Sequence, residues 1–133
     1  MSGDLPALDE RGLPEGYPFK EEYEITPRDA AARLVSEDAS FLLIDVREDD
    51  ELQTARVAGA IQIRMSQIEE RFDEIAEYVE DHPDGTIAFL CHHGVRSLKV
   101  TLAARAMGAP NSVSVAGGID AWSMGVDPSI PLY

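Results

Sequence analysis

The stretch TIAFLCHHGVRS, residues 86–97, places the only cysteine of the chain between an apolar run and a helical pattern. A short apolar run such as the one ending at Leu90 is typical of a strand buried on both faces, as in a parallel sheet. Residues 97–107 then follow a helical pattern that is apolar nearly all round, and we expect this helix to be the most buried one. The sequence thus predicts a strand, a cysteine loop and a helix, with Cys91 at the carboxyl end of the strand.

Other short apolar runs extend this pattern in both directions. They cover residues 41–45, 60–63 and 113–115, and helical or loop segments separate them. Strands that alternate with helices imply right-handed crossovers and a sheet covered on both faces. The predicted fold class is therefore α/β, with a doubly wound, mainly parallel central sheet flanked by helices. Because Asp45 and Cys91 both end strands, we expect both at the sheet edge where such folds bind ligands.

Helix-start signals organise the rest of the chain. Thr26 is typical of an N-cap, and Pro27 suits the first helical position. Residues 66–69, Ser-Gln-Ile-Glu, form a capping-box pattern that predicts the start of a second helix. Prolines and glycines interrupt residues 1–24, which we expect to form an N-terminal arm that is partly flexible. We expect residues 25–133 to form a single domain.

Composition restricts the partners. The 133 residues include 11 basic and 25 acidic ones, for a formal net charge of −14. A chain this acidic lacks the basic stripe that nucleic-acid binding requires, so no nucleic-acid partner is expected. No apolar run is long enough to span a bilayer, and the N-terminus lacks signal-peptide features, so we expect no membrane partner and a cytoplasmic location. The lone cysteine fits a reducing compartment.

The cysteine loop has the features that stabilise a thiolate. Backbone N–H groups of a loop that closes onto a helix N-terminus can converge on the sulfur, and Arg96 adds a positive charge. Since a stabilised thiolate is a nucleophile, Cys91 is the candidate catalytic residue rather than an inert buried side chain. Sulfur transfer and phosphate-ester cleavage both use this arrangement. Only four residues separate Cys91 from Arg96, which favours sulfur transfer, because a terminal sulfur is smaller than a phosphoryl group.

Four blocks of sequence, in order, resemble the rhodanese family. Residues 43–48, LIDVRE, look like its first strand and the acidic-basic pair that follows, and residues 51–60, ending RVAGA, align with its Gly-His-Ile-Pro-Gly-Ala pattern. Residues 91–97 look like its active-site loop, and residues 117–122, GGIDAW, match its usual ending. The resemblance covers most of the chain from residue 25 onward.

The resemblance implies a thiosulfate sulfurtransferase-like enzyme. Its Cys91 thiolate would take the outer sulfur of a small anionic donor such as thiosulfate and pass it to a thiol, cyanide or a protein acceptor. Phosphatases and arsenate reductases of the same fold have a loop one residue longer, which weakens that alternative. A non-enzymatic module that delivers sulfur or recruits a partner is the other alternative. The loop residues expected to surround the substrate are His92, His93, Gly94, Val95 and Arg96.

Three residues are expected to support the loop. Asp45 and Arg47 are expected to form a structural ion pair, and Arg56, which stands where the family usually has histidine, adds a cation near the rim. Arg96 either contacts an anionic substrate or braces the loop by pairing with a carboxylate. No metal or other cofactor is expected, because the one histidine outside the loop, His82, lies at a distant helix end.

Overall fold

A parallel five-stranded sheet forms the centre of the part of the chain that the computed structural model describes, residues 6–133. The spatial order of the strands is β1-β5-β4-β2-β3, and every neighbouring pair is parallel. The strands are β1 (Glu24–Ile25), β2 (Phe41–Asp45), β3 (Ile61–Gln62), β4 (Thr86–Leu90) and β5 (Ser112–Val115). The helices are α1 (Pro27–Val35), α2 (Asp49–Thr54), α3 (Phe72–Asp81), α4 (Val95–Ala106) and α5 (Gly118–Gly125).

Alternate residues of the central strands pack into two cores, one on each face of the sheet. Leu43 and Leu90 face the core that contains Trp122 of α5. Ile44 and Phe89 face the core that holds the buried side chains of α3 and α4. Because side chains alternate along a strand, apolar runs such as β2 and β4 can fill both cores. The predicted α/β fold with a doubly wound parallel sheet is confirmed.

Helix α1 begins as predicted, whereas the capping-box prediction for the next long helix is wrong. The Thr26 side chain accepts a hydrogen bond from the N–H of Asp29, and Pro27 opens α1. Residues Met65–Gln67, which include part of the expected capping box, form instead a single 3₁₀ turn. Helix α3 starts only at Phe72, where no side chain caps its N-terminus. The 3₁₀ turn places Ile68, the residue that follows it, in the core before helix α3 begins.

Helix α4 begins two residues earlier than expected and is not uniformly buried. It starts at Val95, directly after Gly94, and buries Val100 and Ala104. On its outer side, Leu102 is 48% exposed, and only four of the twelve residues of α4 are buried, against five of eight in α5. The expectation that α4 is the most buried helix is therefore wrong. The sheet covers only one side of helix α4, so the other side meets solvent. Because α4 is apolar nearly all round, its composition did not show which side that is.

The N-terminal segment is tied to the domain. Leu8 and Pro14 form an antiparallel bridge, and Leu13 is fully buried. Tyr17 packs beside Leu13 against the start of α5. Strand β1, which the sequence did not predict, takes Glu24 from the expected arm into the sheet. The expected flexible start falls partly on residues 1–5, outside the described range. No helix among residues 6–133 is both long and apolar enough to cross a membrane.

Candidate active site

The sulfur of Cys91 lies buried at the carboxyl end of β4, where the side chain is 1% exposed. Its Sγ accepts hydrogen bonds from the N–H of Gly94 at 3.1 Å and from the N–H of Ser97 at 3.3 Å. The Cys91 thiol donates a hydrogen bond to the Ser97 hydroxyl at 3.2 Å, and this hydroxyl can donate in turn once the thiol has lost its proton. Three groups that can donate hydrogen bonds therefore surround Sγ, and they stabilise negative charge there.

The local sequence explains why these groups converge. Gly94 adopts a left-handed conformation with φ of 101°, which glycine tolerates without steric cost, and this residue turns the chain into α4. The first N–H groups of a helix have no partner within the helix, so that of Ser97 is free to meet the sulfur. The Ser97 hydroxyl is buried and lies 2.7 Å from the hydroxyl of Ser114 on β5. Ser97 was not among the residues predicted for the site, although its place in the first turn of the helix was a usable signal.

Arg96 forms a two-pronged ion pair with Glu51 rather than facing the sulfur. Its two Nη atoms donate to the two carboxylate oxygens at 2.8 Å each. The Tyr133 hydroxyl donates to the same carboxylate at 2.8 Å. The Arg96 hydrogen bonds lower the pKa of Glu51 to about 2, and the same pair raises the pKa of Arg96. The sequence left two roles open for Arg96, contact with an anionic substrate or pairing with a carboxylate. The structure shows the pairing with a carboxylate.

Beneath this pair, Asp45 and Arg47 form a buried ion pair at the end of β2. Arg47 Nη2 lies 2.7 Å from Asp45, and the Arg47 side chain is fully buried. Arg47 also donates to the Ala55 carbonyl at 2.7 Å and to the Tyr133 hydroxyl at 2.8 Å. Its remaining donors are thus used to join β2 to α2 and to the C-terminal segment. Burial is the main cause that raises the pKa of Tyr133 to about 12, so this phenol stays protonated and able to donate.

The loop histidines point toward α5, where they meet Asp120. Nε2 of His92 lies 3.2 Å from one carboxylate oxygen of Asp120, and Nδ1 of His93 lies 3.2 Å from the other. The His92 ring stacks between His93 and Tyr133, with centroids 3.8 Å from each. Among the described residues, no histidine side chain hydrogen-bonds to the sulfur of Cys91. Asp120, to which no pattern in the sequence pointed, is a third side chain beside the loop with an atom able to ligate a metal.

Two of the remaining expected site residues lie on the surface. Val95 is 64% exposed at the start of α4. Arg56 is exposed and lines a groove of about 490 Å³ between α1, α2 and the C-terminal segment. No residue of the Cys91 loop lines that groove. Arg56 therefore lies away from the loop, whereas the structure brings Asp45, Arg47 and Arg96 together with it.

Tyr17 braces the back of the site, a contact that the sequence analysis missed. Its hydroxyl accepts from the N–H of Gly117 at 3.0 Å and donates to Glu24 at 2.5 Å. A Cβ atom placed on Gly94 would lie 3.5 Å from the same hydroxyl. Burial, with help from the Glu24 hydrogen bond, raises the pKa of Tyr17 and keeps the phenol protonated.

Known proteins share both the sequence and the fold of this chain. Adenylyltransferase and sulfurtransferase UBA4 of Candida albicans is 30% identical over 148 residues, which cover 100% of this chain and 34% of UBA4. Adenylyltransferase and sulfurtransferase MOCS3-2 of Zea mays is 29% identical over 102 residues, which cover 76% of this chain and 21% of that protein. The chain thus spans about a third or less of the length of these curated relatives.

A solved structure of a rhodanese-related protein from Thermoplasma volcanium matches with a TM-score of 0.66 and 27% identity. The match covers 84% of this chain and 99% of that one. The family model for the rhodanese-like domain matches residues 26–124. The match to this domain and the sulfurtransferase names of the relatives support sulfur transfer in general. Because the matched region covers most of the sequence, the chain belongs to the rhodanese-like domain family.

Proposed function

We propose that this protein moves sulfane sulfur through a persulfide on Cys91, from a small anionic donor such as thiosulfate to a thiol, cyanide or a protein acceptor. The observation that carries the proposal is the set of groups around Sγ: the N–H groups of Gly94 and Ser97 donate to it, and the Ser97 hydroxyl, which accepts from the thiol, can donate to it once the thiol loses its proton. Such donors stabilise the thiolate that attacks, and the same donors can stabilise the terminal sulfur anion of a persulfide.

In the first step, the Cys91 thiolate attacks the outer sulfur of thiosulfate. A new S–S bond forms as the S–S bond of thiosulfate breaks, and sulfite leaves with the electron pair of that bond. In the second step, an acceptor thiolate or cyanide attacks the terminal sulfur of the persulfide. The Cys91 thiolate is the leaving group and is thereby regenerated. Since the sequence contains one cysteine, the acceptor in this scheme comes from outside it.

The surroundings of the loop support a small donor. The 1% exposure of Cys91 leaves little room for a bulky group at the sulfur, whereas a terminal sulfur atom is small. The Glu51 carboxylate engages Arg96, so we assign Arg96 to holding the loop and not to binding the donor. We likewise assign Asp45 and Arg47 to supporting this edge of the sheet, because their charges satisfy each other in the interior.

Thiocyanate formation from thiosulfate and cyanide tests the proposal, with Cys91→Ser as the control variant. Intact mass measured after thiosulfate treatment gives an independent readout, because a persulfide adds one sulfur atom to the chain. We expect both signals in the natural protein and neither in Cys91→Ser. A Cys91→Ser protein that still produces thiocyanate at the natural rate would contradict the role of Cys91.

The same preparation distinguishes the two alternative functions. A mass gain of one sulfur without turnover on small acceptors would identify a module that delivers sulfur to a specific partner. Turnover of aryl phosphates or arsenate, with no mass gain after thiosulfate, would identify the phosphatase or reductase chemistry instead. We expect neither aryl phosphate nor arsenate turnover.

A further inference from the structure

Two adjacent histidines and an aspartate come together where the cysteine loop meets α5. His92 and His93 follow Cys91 directly, and Asp120 lies in the first turn of α5. We propose that His92, His93 and Asp120 form a binding site for a divalent transition-metal ion of the zinc type. None of its three ligands is the nucleophile, so its metal binding can be tested apart from sulfur transfer.

The spacing of the donor atoms fits a zinc ion. One ligand atom from each residue lies within 4.8 Å of the other two. Zinc with ligands at about 2.0–2.1 Å in tetrahedral geometry holds neighbouring ligand atoms roughly 3.3 Å apart. The contacts of His92 Nε2 with Asp120 Oδ1 and of His93 Nδ1 with Asp120 Oδ2, at 3.2 Å each, have this spacing, one to each carboxylate oxygen.

Two of these atoms need a partner that the described residues do not provide. Nε2 of His92 and Oδ1 of Asp120 are both inaccessible to solvent, and neither has a hydrogen-bond partner in residues 6–133. They lie 3.2 Å from each other. Buried polar atoms without partners are costly, so they indicate a missing ligand or a functional role. A metal ion bound between them satisfies both atoms at once.

The backbone holds the two halves of the site together. The N–H of Asp120 donates to the carbonyl of His92 at 3.3 Å, and the N–H of Ile119 donates to the carbonyl of Cys91 at 2.8 Å. Gly118 permits this close approach, since a Cβ atom there would lie 2.3 Å from the His92 carbonyl oxygen. The Tyr133 ring, stacked parallel to that of His92, restricts its rotation.

The ligand set also determines the class of ion. Two imidazoles and one carboxylate suit zinc and similar first-row transition metals, whereas calcium and magnesium prefer oxygen ligands. His93 is 61% exposed, so the site opens to solvent on its side. A water molecule can therefore occupy the fourth coordination position, as in zinc sites with three protein ligands. The expectation of no metal rested on His82 as the one further ligand, whereas the fold brings Asp120 to the two loop histidines.

Zinc titration of the protein without an affinity tag tests the site, by calorimetry and by equilibrium dialysis. We expect one zinc ion per chain, bound with a Kd below about 1 mM. Asp120→Asn and His93→Gln should each weaken binding at least about tenfold, because each removes one of three ligands. The exposed position of His93 makes His93→Gln safe for folding, and circular dichroism checks both variants.

Two further variants show which residues hold the ion. His82→Gln, a change of the same kind at the third histidine of the chain, should bind zinc unchanged. Cys91→Ser should also keep the site. The proposal is wrong if no saturable binding occurs, if Asp120→Asn and His93→Gln both bind zinc like the natural protein, or if Cys91→Ser abolishes binding. None of these outcomes depends on the sulfurtransferase assays.

Discussion

Ser97 contacts the sulfur of Cys91 twice, through its backbone N–H at 3.3 Å and through its hydroxyl at 3.2 Å. The two residues lie on opposite sides of the loop, and the left-handed turn at Gly94 brings them together. The hydroxyl of Ser114 lies 2.7 Å from that of Ser97 and helps to orient it. A strand, a loop and a helix thus place their donors on one sulfur atom.

Replacement of Ser97 by alanine should slow the reaction of Cys91 with iodoacetamide at least about tenfold, because a hydrogen bond to a charged group contributes roughly 1.5–3 kcal/mol. The backbone donors remain, so reactivity should not vanish. Ser112→Ala is the matched control, since that buried hydroxyl has no hydrogen-bond partner among the described residues. Equal alkylation rates in the two variants would show that the Ser97 hydroxyl does not stabilise the thiolate.

Glu51→Gln should destabilise the protein at neutral pH by about 1–3 kcal/mol, because Arg96 loses its charged acceptor. The pKa of Glu51 is about 2 in the folded chain against an ordinary 4.5. Between these values the unfolded chain binds a proton that the folded chain does not, so this contribution is full above pH 4.5 and is lost as the pH falls toward 2.

Urea unfolding of the natural protein and Glu51→Gln at several pH values measures this difference. The gap in unfolding free energy between them should narrow as the pH falls through that window. Glu74→Gln is the control, because the Glu74 pair with Arg71 is exposed and should contribute little. A gap that stays constant with pH would contradict the assignment.

Tyr17→Phe should lower the unfolding free energy by about 1–3 kcal/mol, because it leaves the N–H of Gly117 and the Glu24 carboxylate without this partner. Tyr23→Phe removes the same atom at a neighbouring position, where no hydrogen bond to the phenol occurs among the described residues, and it should have little effect. Denaturant unfolding of both variants measures the comparison. Similar losses in the two would show that the Tyr17 hydroxyl does not brace the site.

Gly118→Ala should cost at least about 3 kcal/mol, because the new Cβ meets the backbone of the cysteine loop and φ at this position is +65°. Gly108→Ala tests the strain alone, since Gly108 also has a positive φ but no atom lies within 4 Å of its Cβ position. That variant should lose only about 1 kcal/mol. Thermal unfolding distinguishes the two, and equal losses would show that the approach of α5 to the loop is not tight.

Local patterns in the sequence were enough to predict the fold and the place of Cys91. The apolar runs at β2 and β4, the Thr26 cap and the turn at Gly94 act over a few residues, so each can be recognised from its neighbours alone. Strand β1 was missed because its two residues form too short a pattern, and only its pairing with β5 identifies it.

The partners around the cysteine loop were decided by the tertiary structure. Glu51 pairs with Arg96 across 45 residues of sequence, and Tyr17 meets Gly117 across 100. Glu51 stands in a charged segment where no local feature distinguishes it from its acidic neighbours. Sequence thus determined which residue is the candidate nucleophile, because that depends on the order of strand, loop and helix. Folding determined which side chains hold and surround it, because those contacts exist only once distant segments pack together.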